Sequence, residues 1–162
     1  MIRCMDPIQS LRQELDRLLS GKGAHVDFDA AVADFPPALR GARLKGAAHS
    51  AWETLEHLRI AMWDMLEFSR DAKHVSPEWP SGYWPESAEP ASAAAWDKSV
   101  KAFDRDLAAM RKLVSDPKSD LFTPFAHGAG QTLLREALQV ADHNAYHVGE
   151  LILLRRMLGA WK

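Results

Sequence analysis

The stretch that decides the fold is residues 131–158, QTLLREALQVADHNAYHVGELILLRRML. Its apolar residues recur every three or four positions and form one broad arc on a helical wheel, which predicts an amphipathic helix ending near Gly159. The same stretch carries His143 and His147. At about 100° and about 1.5 Å per residue, these side chains project from one face one turn apart, close enough for two imidazoles to bind one cation.

Three further stretches show helical periodicity, and none shows the period-two alternation typical of strands. They lie at about residues 6–21, 50–70 and 90–114. The first begins with Asp6-Pro7, an N-cap followed by a first-turn proline. The second opens with Ser50 and Glu53, a capping-box pair. With residues 131–158, four long helices are predicted.

The segments between these helices indicate how they are connected. Residues 21–48 contain glycines and the pair Pro36-Pro37, so we predict a mostly irregular crossover with one short helix near residues 28–35. Residues 75–90, called the aromatic loop below, contain four prolines. The aromatic residues of this loop are Trp79, Tyr83 and Trp84.

The composition fits one globular domain. The chain has 162 residues, of which 47% are hydrophobic and 26% are charged, and a chain of this size can bury one continuous core. We therefore predict an all-α fold, a four-helix bundle with a long crossover between helices 1 and 2, as a single domain over residues 1–162.

The charge pattern argues against nucleic-acid and membrane partners. There are 20 basic and 22 acidic residues without a long block of one sign, and the formal net charge is -2. No apolar run approaches the ~20 residues of a membrane span, and residues 1–6 lack the pattern of a signal peptide, so we expect a cytoplasmic protein. Cys4 is the only cysteine, which leaves nitrogen and oxygen ligands for any metal site.

A third histidine, on the second predicted helix, can also point inward. His57 lies at the edge of the apolar arc of that helix, with Asp64 close by. The polar side of the same helix is predicted to carry Glu56, Arg59, Glu67 and Arg70. Inward-facing ligands on neighbouring helices can converge on one cation, and His57 with His143 and His147 would leave coordination positions open.

A simpler interpretation of these histidines also stands. A His-x-x-x-His pair on a helix is common where both rings are hydrogen-bonded or solvated, and a lone histidine on an amphipathic helix is usually not a ligand. Of the other four histidines, only His49 is kept as a candidate extra ligand. It lies at the entrance of the second predicted helix, where capping is its simpler role.

Two motifs carry a family resemblance. The second predicted helix contains Trp-x-x-x-x-His, from Trp52 to His57, and the last contains His143-Asn-Ala-Tyr-His147-Val-Gly-Glu. With the order of helices, these motifs resemble the DinB-like superfamily of bacterial four-helix-bundle proteins, in which His-x-x-x-His is followed by a small residue and Gln or Glu. The resemblance implies a DinB/YfiT-like bundle with a three-histidine site for a divalent metal such as zinc or nickel, carried here onto His57, His143 and His147.

The resemblance leaves two classes of function open. Relatives with assigned activities include thiol-dependent S-transferases and the mycothiol-dependent maleylpyruvate isomerase. One interpretation is therefore a metal-dependent transferase or hydrolase for a small-molecule substrate, with a low-molecular-weight thiol as cosubstrate. In the other interpretation the metal only ties two helices together, or the site is vestigial, and the chain is a non-catalytic binding protein. Homodimers are expected, since bundles of this family often pair.

Side chains near the three histidines supply the remaining candidates. Glu150 or Glu53 would orient a ligand imidazole or take up a proton, and Tyr146 would shape the pocket. The aromatic loop would cover that pocket through Tyr83 and Trp84. Because neutral imidazoles bind the metal, we also expect metal affinity to fall as pH drops through ~6.5.

Overall fold

The computed structural model describes residues 6–161, which form five α-helices and no strand. The helices are α1 (Pro7–Leu19), α2 (Phe28–Val32), α3 (Ala51–Arg70), α4 (Ala93–Ser115) and α5 (Leu133–Met157). The four long helices form the predicted bundle, and α2 lies in the long crossover between α1 and α3, so the all-α prediction is confirmed. Cys4 and the rest of residues 1–5 lie outside the described part.

Local capping accounts for where the helices begin. Ser50 and Glu53 form the predicted capping box, in which each side chain binds the other residue's backbone N–H. Asp6 caps α1, and Ser92 and Thr132 cap α4 and α5 through their side-chain oxygens. These caps set the starting points from which the positions of His57 and His143 along the bundle follow.

The core lies between α3 and its two main neighbours, α4 and α5, while α1 closes the bundle against α4 and α5. The largest fully buried side chains are Trp96, Phe35, Phe103, Leu55, Leu58, Met62, Leu66, Met110, Leu121, Leu151, Val114 and Val140. The crossover joins this core through Phe28 of α2, whose ring centroid lies 4.0 Å from that of Phe103. No helix among residues 6–161 combines the length and hydropathy needed to cross a membrane.

Glu56 departs from the sequence prediction. It was expected on the polar side of its helix, but it is buried because α4 packs over this part of α3. Its carboxylate accepts two hydrogen bonds from Arg59 at 2.8 Å and one from Ser99 of α4 at 2.5 Å. A helical wheel of one helix cannot show where a neighbouring helix will cover it.

Candidate metal centre

Two helices bring three imidazoles to one place in the bundle. His57 comes from α3, and His143 and His147 come from consecutive turns of α5. One ligand nitrogen from each ring lies within 4.8 Å of the other two, and Nε2 of His57 lies 3.0 Å from Nε2 of His143. The three histidines that the sequence suggested as ligands therefore come together. They are called the three-histidine cluster below.

Hydrogen bonds at the far nitrogens orient two of these rings. Nδ1 of His57 donates to the backbone carbonyl of Tyr83 at 3.0 Å, which leaves its Nε2 with a free lone pair. Nδ1 of His147 donates to Oε2 of Glu150 at 2.6 Å, with the same consequence for its own Nε2. A carbonyl or carboxylate in this position is the usual outer partner of a metal-binding histidine.

One ring nitrogen of His143 has no hydrogen-bond partner among residues 6–161. Because Nδ1 of His57 carries the hydrogen, the 3.0 Å contact between the two Nε2 atoms requires His143 to donate from Nε2. Nδ1 of His143 is then a buried acceptor without a hydrogen-bond partner among residues 6–161. A cation would instead accept the lone pairs of both Nε2 atoms.

The distances also suit a cation. Zinc–nitrogen bonds of about 2.0–2.1 Å in a tetrahedral site place ligand nitrogens roughly 3.3 Å apart, and the separations in the cluster range from 3.0 Å to at most 4.8 Å. Three imidazoles are a donor set suited to zinc, nickel, copper or iron. The residues present therefore fit a divalent metal ion.

The electrostatics of the cluster keep its rings neutral. Burial, together with the neighbouring His147 and His57, lowers the pKa of His143 to about 4. Burial likewise lowers the pKa of His147 to about 4, and that of His57 is also lowered, mainly by burial and against the effect of its hydrogen bond to Tyr83. Neutral rings with free lone pairs are the form that a metal ion binds.

Trp84 covers the cluster from the aromatic loop. Its ring stacks on that of His57, with centroids 4.0 Å apart and planes 4° apart, and on that of His49, with centroids 3.7 Å apart. His49 therefore lies on the outer face of Trp84. Tyr83 contacts the cluster through its backbone carbonyl, whereas its hydroxyl donates to Asp64 at 2.6 Å.

The three candidate catalytic residues lie in different surroundings. Glu150 contacts His147 directly, and burial raises the pKa of its carboxyl. Tyr146 is 66% exposed, with its ring centroid 4.9 Å from that of His147. Both carboxylate oxygens of Glu53 are engaged at the start of α3, by the Ser50 backbone and by Arg43.

A cleft of about 430 Å³ borders this region on the side of Glu150. Its lining residues are Lys45, Gly46, Ala47, Ala48, His49, Thr54, Glu150, Leu153, Leu154 and Met157. Leu153 and Met157 are more than half exposed, and the cleft is large enough for a small organic molecule.

Sequence reasoning did not assign roles to Asp64 and His74. Asp64 is buried and accepts hydrogen bonds from Tyr83 and from Nε2 of His74, the latter at 2.7 Å. A signal was present, since Asp64 follows His57 by seven residues and so lies on nearly the same face of α3.

The lowered pKa values move the pH range in which protons compete with metal. Three histidines of ordinary pKa would lose roughly 1000-fold in affinity by pH 5.5, but a ring with a pKa of about 4 is only about 3% protonated there. We expect nickel affinity, measured by dye competition, to fall less than about tenfold from pH 7 to 5.5 and steeply below pH 5. A 1000-fold loss by pH 5.5 would show that the rings titrate as in solution.

The sign of the effect on stability follows from the same values. A histidine with a lowered folded-state pKa binds protons more weakly in the native chain than in the unfolded chain. The metal-free protein is therefore stabilised by these groups above about pH 6.5, and this contribution is lost as pH falls through about 4.

A comparison with protein families identifies the fold family. The family model described as DinB superfamily matches residues 22–151, which include all three histidines and most of the bundle. No curated protein and no solved structure matched the chain.

Proposed function

Since this chain belongs to the DinB superfamily and brings three neutral imidazoles together, we propose that it is a metal-dependent enzyme acting on a small molecule. His57, His143 and His147 would hold a divalent ion, with zinc or nickel preferred. The observation that carries the proposal is the convergence of one ring nitrogen from each of the three histidines, with two of the rings oriented by hydrogen bonds at Nδ1.

Three protein ligands are typical of catalytic sites, which keep a position for water or substrate. When bound there, such an ion would lower the pKa of a coordinated water or thiol, so that a nucleophile is available near neutral pH. We therefore propose a thiol-dependent S-transferase or a hydrolase, with the thiol supplied as a low-molecular-weight cosubstrate.

The residues around the cluster have distinct roles in this proposal. Glu150 holds His147 in the Nδ1–H tautomer and can accept that proton as charge on the ring changes. Trp84 limits the access of water to His57 by stacking on its ring. The cleft beside Glu150 would bind the apolar part of the substrate against Leu153 and Met157.

A second candidate function is favoured by the burial of the cluster. His57 and His147 are only 4% and 9% exposed, as expected for an ion that ties α3 to α5 without chemistry. In that case the protein is a metal-stabilised binding protein, and no ligand position would exchange with solvent.

Cobalt substitution separates these functions. For an enzyme, adding a small thiol to the cobalt protein should produce a sulfur-to-metal charge-transfer band, which His143→Ala should abolish. In a screen of thiols against electrophiles, Trp84→Ala should lower turnover by about tenfold with metal content retained, whereas Trp79→Ala, an exposed residue of the same loop, should not. A cobalt protein that neither binds thiol nor exchanges a water ligand would support the structural function.

A further inference from the structure

Three polar residues of α3 and its N-cap form a stripe that faces the aromatic loop. Ser50, His57 and Asp64 follow one another at intervals of seven residues, and residues seven apart on a helix differ in direction by only about 20°. We call them the anchor stripe. Each of the three makes a hydrogen bond to the loop.

These bonds lay the loop antiparallel to α3. The Ser50 hydroxyl donates to the carbonyl of Ala88 at 2.5 Å, near the end of the loop. His57 donates to the carbonyl of Tyr83, and the Tyr83 hydroxyl reaches Oδ2 of Asp64 at 2.6 Å, two turns farther along the helix. Tyr83 therefore contacts two members of the stripe at once.

Of the three residues of the anchor stripe, Asp64 makes the strongest hydrogen bonds, because it is the one with a carboxylate. The residue is 8% exposed, and its carboxylate accepts hydrogen bonds from two donors on different parts of the chain, Tyr83 and His74. A carboxylate at this depth depends on such bonds, and bonds to an ionised acceptor are stronger than neutral ones. Asp64 thus joins the segment just after α3 to the middle of the loop.

From this arrangement we infer that Asp64 is a positioning residue of the metal centre, acting on His57 through Tyr83. Asp64 fixes the Tyr83 side chain, Tyr83 presents its carbonyl to Nδ1 of His57, and this bond holds the His57 hydrogen on Nδ1. The Nε2 lone pair then faces the other two histidines before any ion arrives. The expected effect on metal binding rests on the proposed function, whereas the effect on the His57 tautomer concerns the metal-free protein.

Nitrogen-15 NMR of the metal-free protein tests that step. His57 should be in the Nδ1–H tautomer in the wild type and in a mixture of tautomers in Tyr83→Phe and Asp64→Asn. Tyr83→Phe keeps the backbone and the ring and removes only the hydroxyl. Glu67→Gln is the control, because it also removes a carboxylate charge from α3, but this carboxylate is paired with Arg70 and not with the aromatic loop. An unchanged His57 tautomer in folded Tyr83→Phe would overturn the inference.

Cobalt affinity provides the second measurement. Loss of an outer partner of a ligand histidine typically costs about 10–100-fold in metal affinity. Tyr83→Phe and Asp64→Asn should therefore both bind cobalt at least about tenfold more weakly than the wild type. Glu67→Gln should bind cobalt as the wild type does. Equal cobalt affinity of Tyr83→Phe and wild type would also overturn the inference. If the wild type binds no metal, the proposed function fails, and the tautomer measurement still decides whether Asp64 positions His57.

Discussion

Replacing His147 by alanine is expected to lower zinc affinity by roughly 100- to 1000-fold. Structural zinc sites bind with about 10–16 kcal/mol shared among four ligands, which corresponds to about 2.5–4 kcal/mol per ligand. Removing His147 has a second effect, because the Glu150 carboxylate also loses its hydrogen bond from the His147 ring. The affinity should be measured by competition with a chromophoric chelator on protein prepared without a histidine tag.

The control for this prediction is His25→Ala, which removes an exposed histidine whose Nδ1 is hydrogen-bonded to the neighbouring Val26 carbonyl. This variant should bind zinc as the wild type does. His57→Ala and His143→Ala should lose affinity to an extent similar to His147→Ala. If all four variants bound zinc equally, the three-histidine cluster would not be the metal site.

The second large effect is the dependence of thermal stability on metal. An ion that binds only the native chain at 1000 times its dissociation constant should raise the free energy of unfolding by about 4 kcal/mol. For a chain of this length that corresponds to an increase in Tm of roughly 8–16 °C. The physical reason is that α3 and α5 contribute ligands from positions 86 residues apart, which converge only in the folded state.

Differential scanning calorimetry with and without a chelator measures this effect. The increase should disappear in the presence of chelator, and it should be several-fold smaller in His143→Ala at the same zinc concentration, because that variant binds zinc more weakly. A wild-type protein whose Tm is the same with zinc and with chelator at pH 7 would contradict the prediction and remove the support for an occupied site.

Much of the fold was accessible from local sequence patterns. The capping box of Ser50 and Glu53 is where the sequence placed it, and α1 begins directly after Asp6 as predicted. Both patterns depend on contacts within a few residues, which is why they could be identified without knowledge of the rest of the chain. The approach of His147 to His143 is local in the same sense.

Roles that depend on a neighbouring element could not be assigned in this way. Two glutamates were equal candidates to orient a ligand ring, and only the folded chain shows that Glu150 contacts His147 while Glu53 is engaged at the start of α3. Tyr83 and Trp84 were treated alike, yet one contributes a carbonyl and the other a stacked ring. The path of the aromatic loop decides that difference, and four prolines do not specify a path.

The sequence by itself determined the four long helices, the caps of the first two and the pairing of His143 with His147, because capping and helical geometry depend on contacts within a few residues. Only the tertiary structure decided that His57 completes the cluster, that Glu56 and Asp64 are buried, and that Trp84 covers the site. Those features depend on how α3 packs against α4 and α5 and on where the loop crosses α3. Such long-range contacts form only when the side chains of separate helices pack together, so no single-helix pattern encodes them.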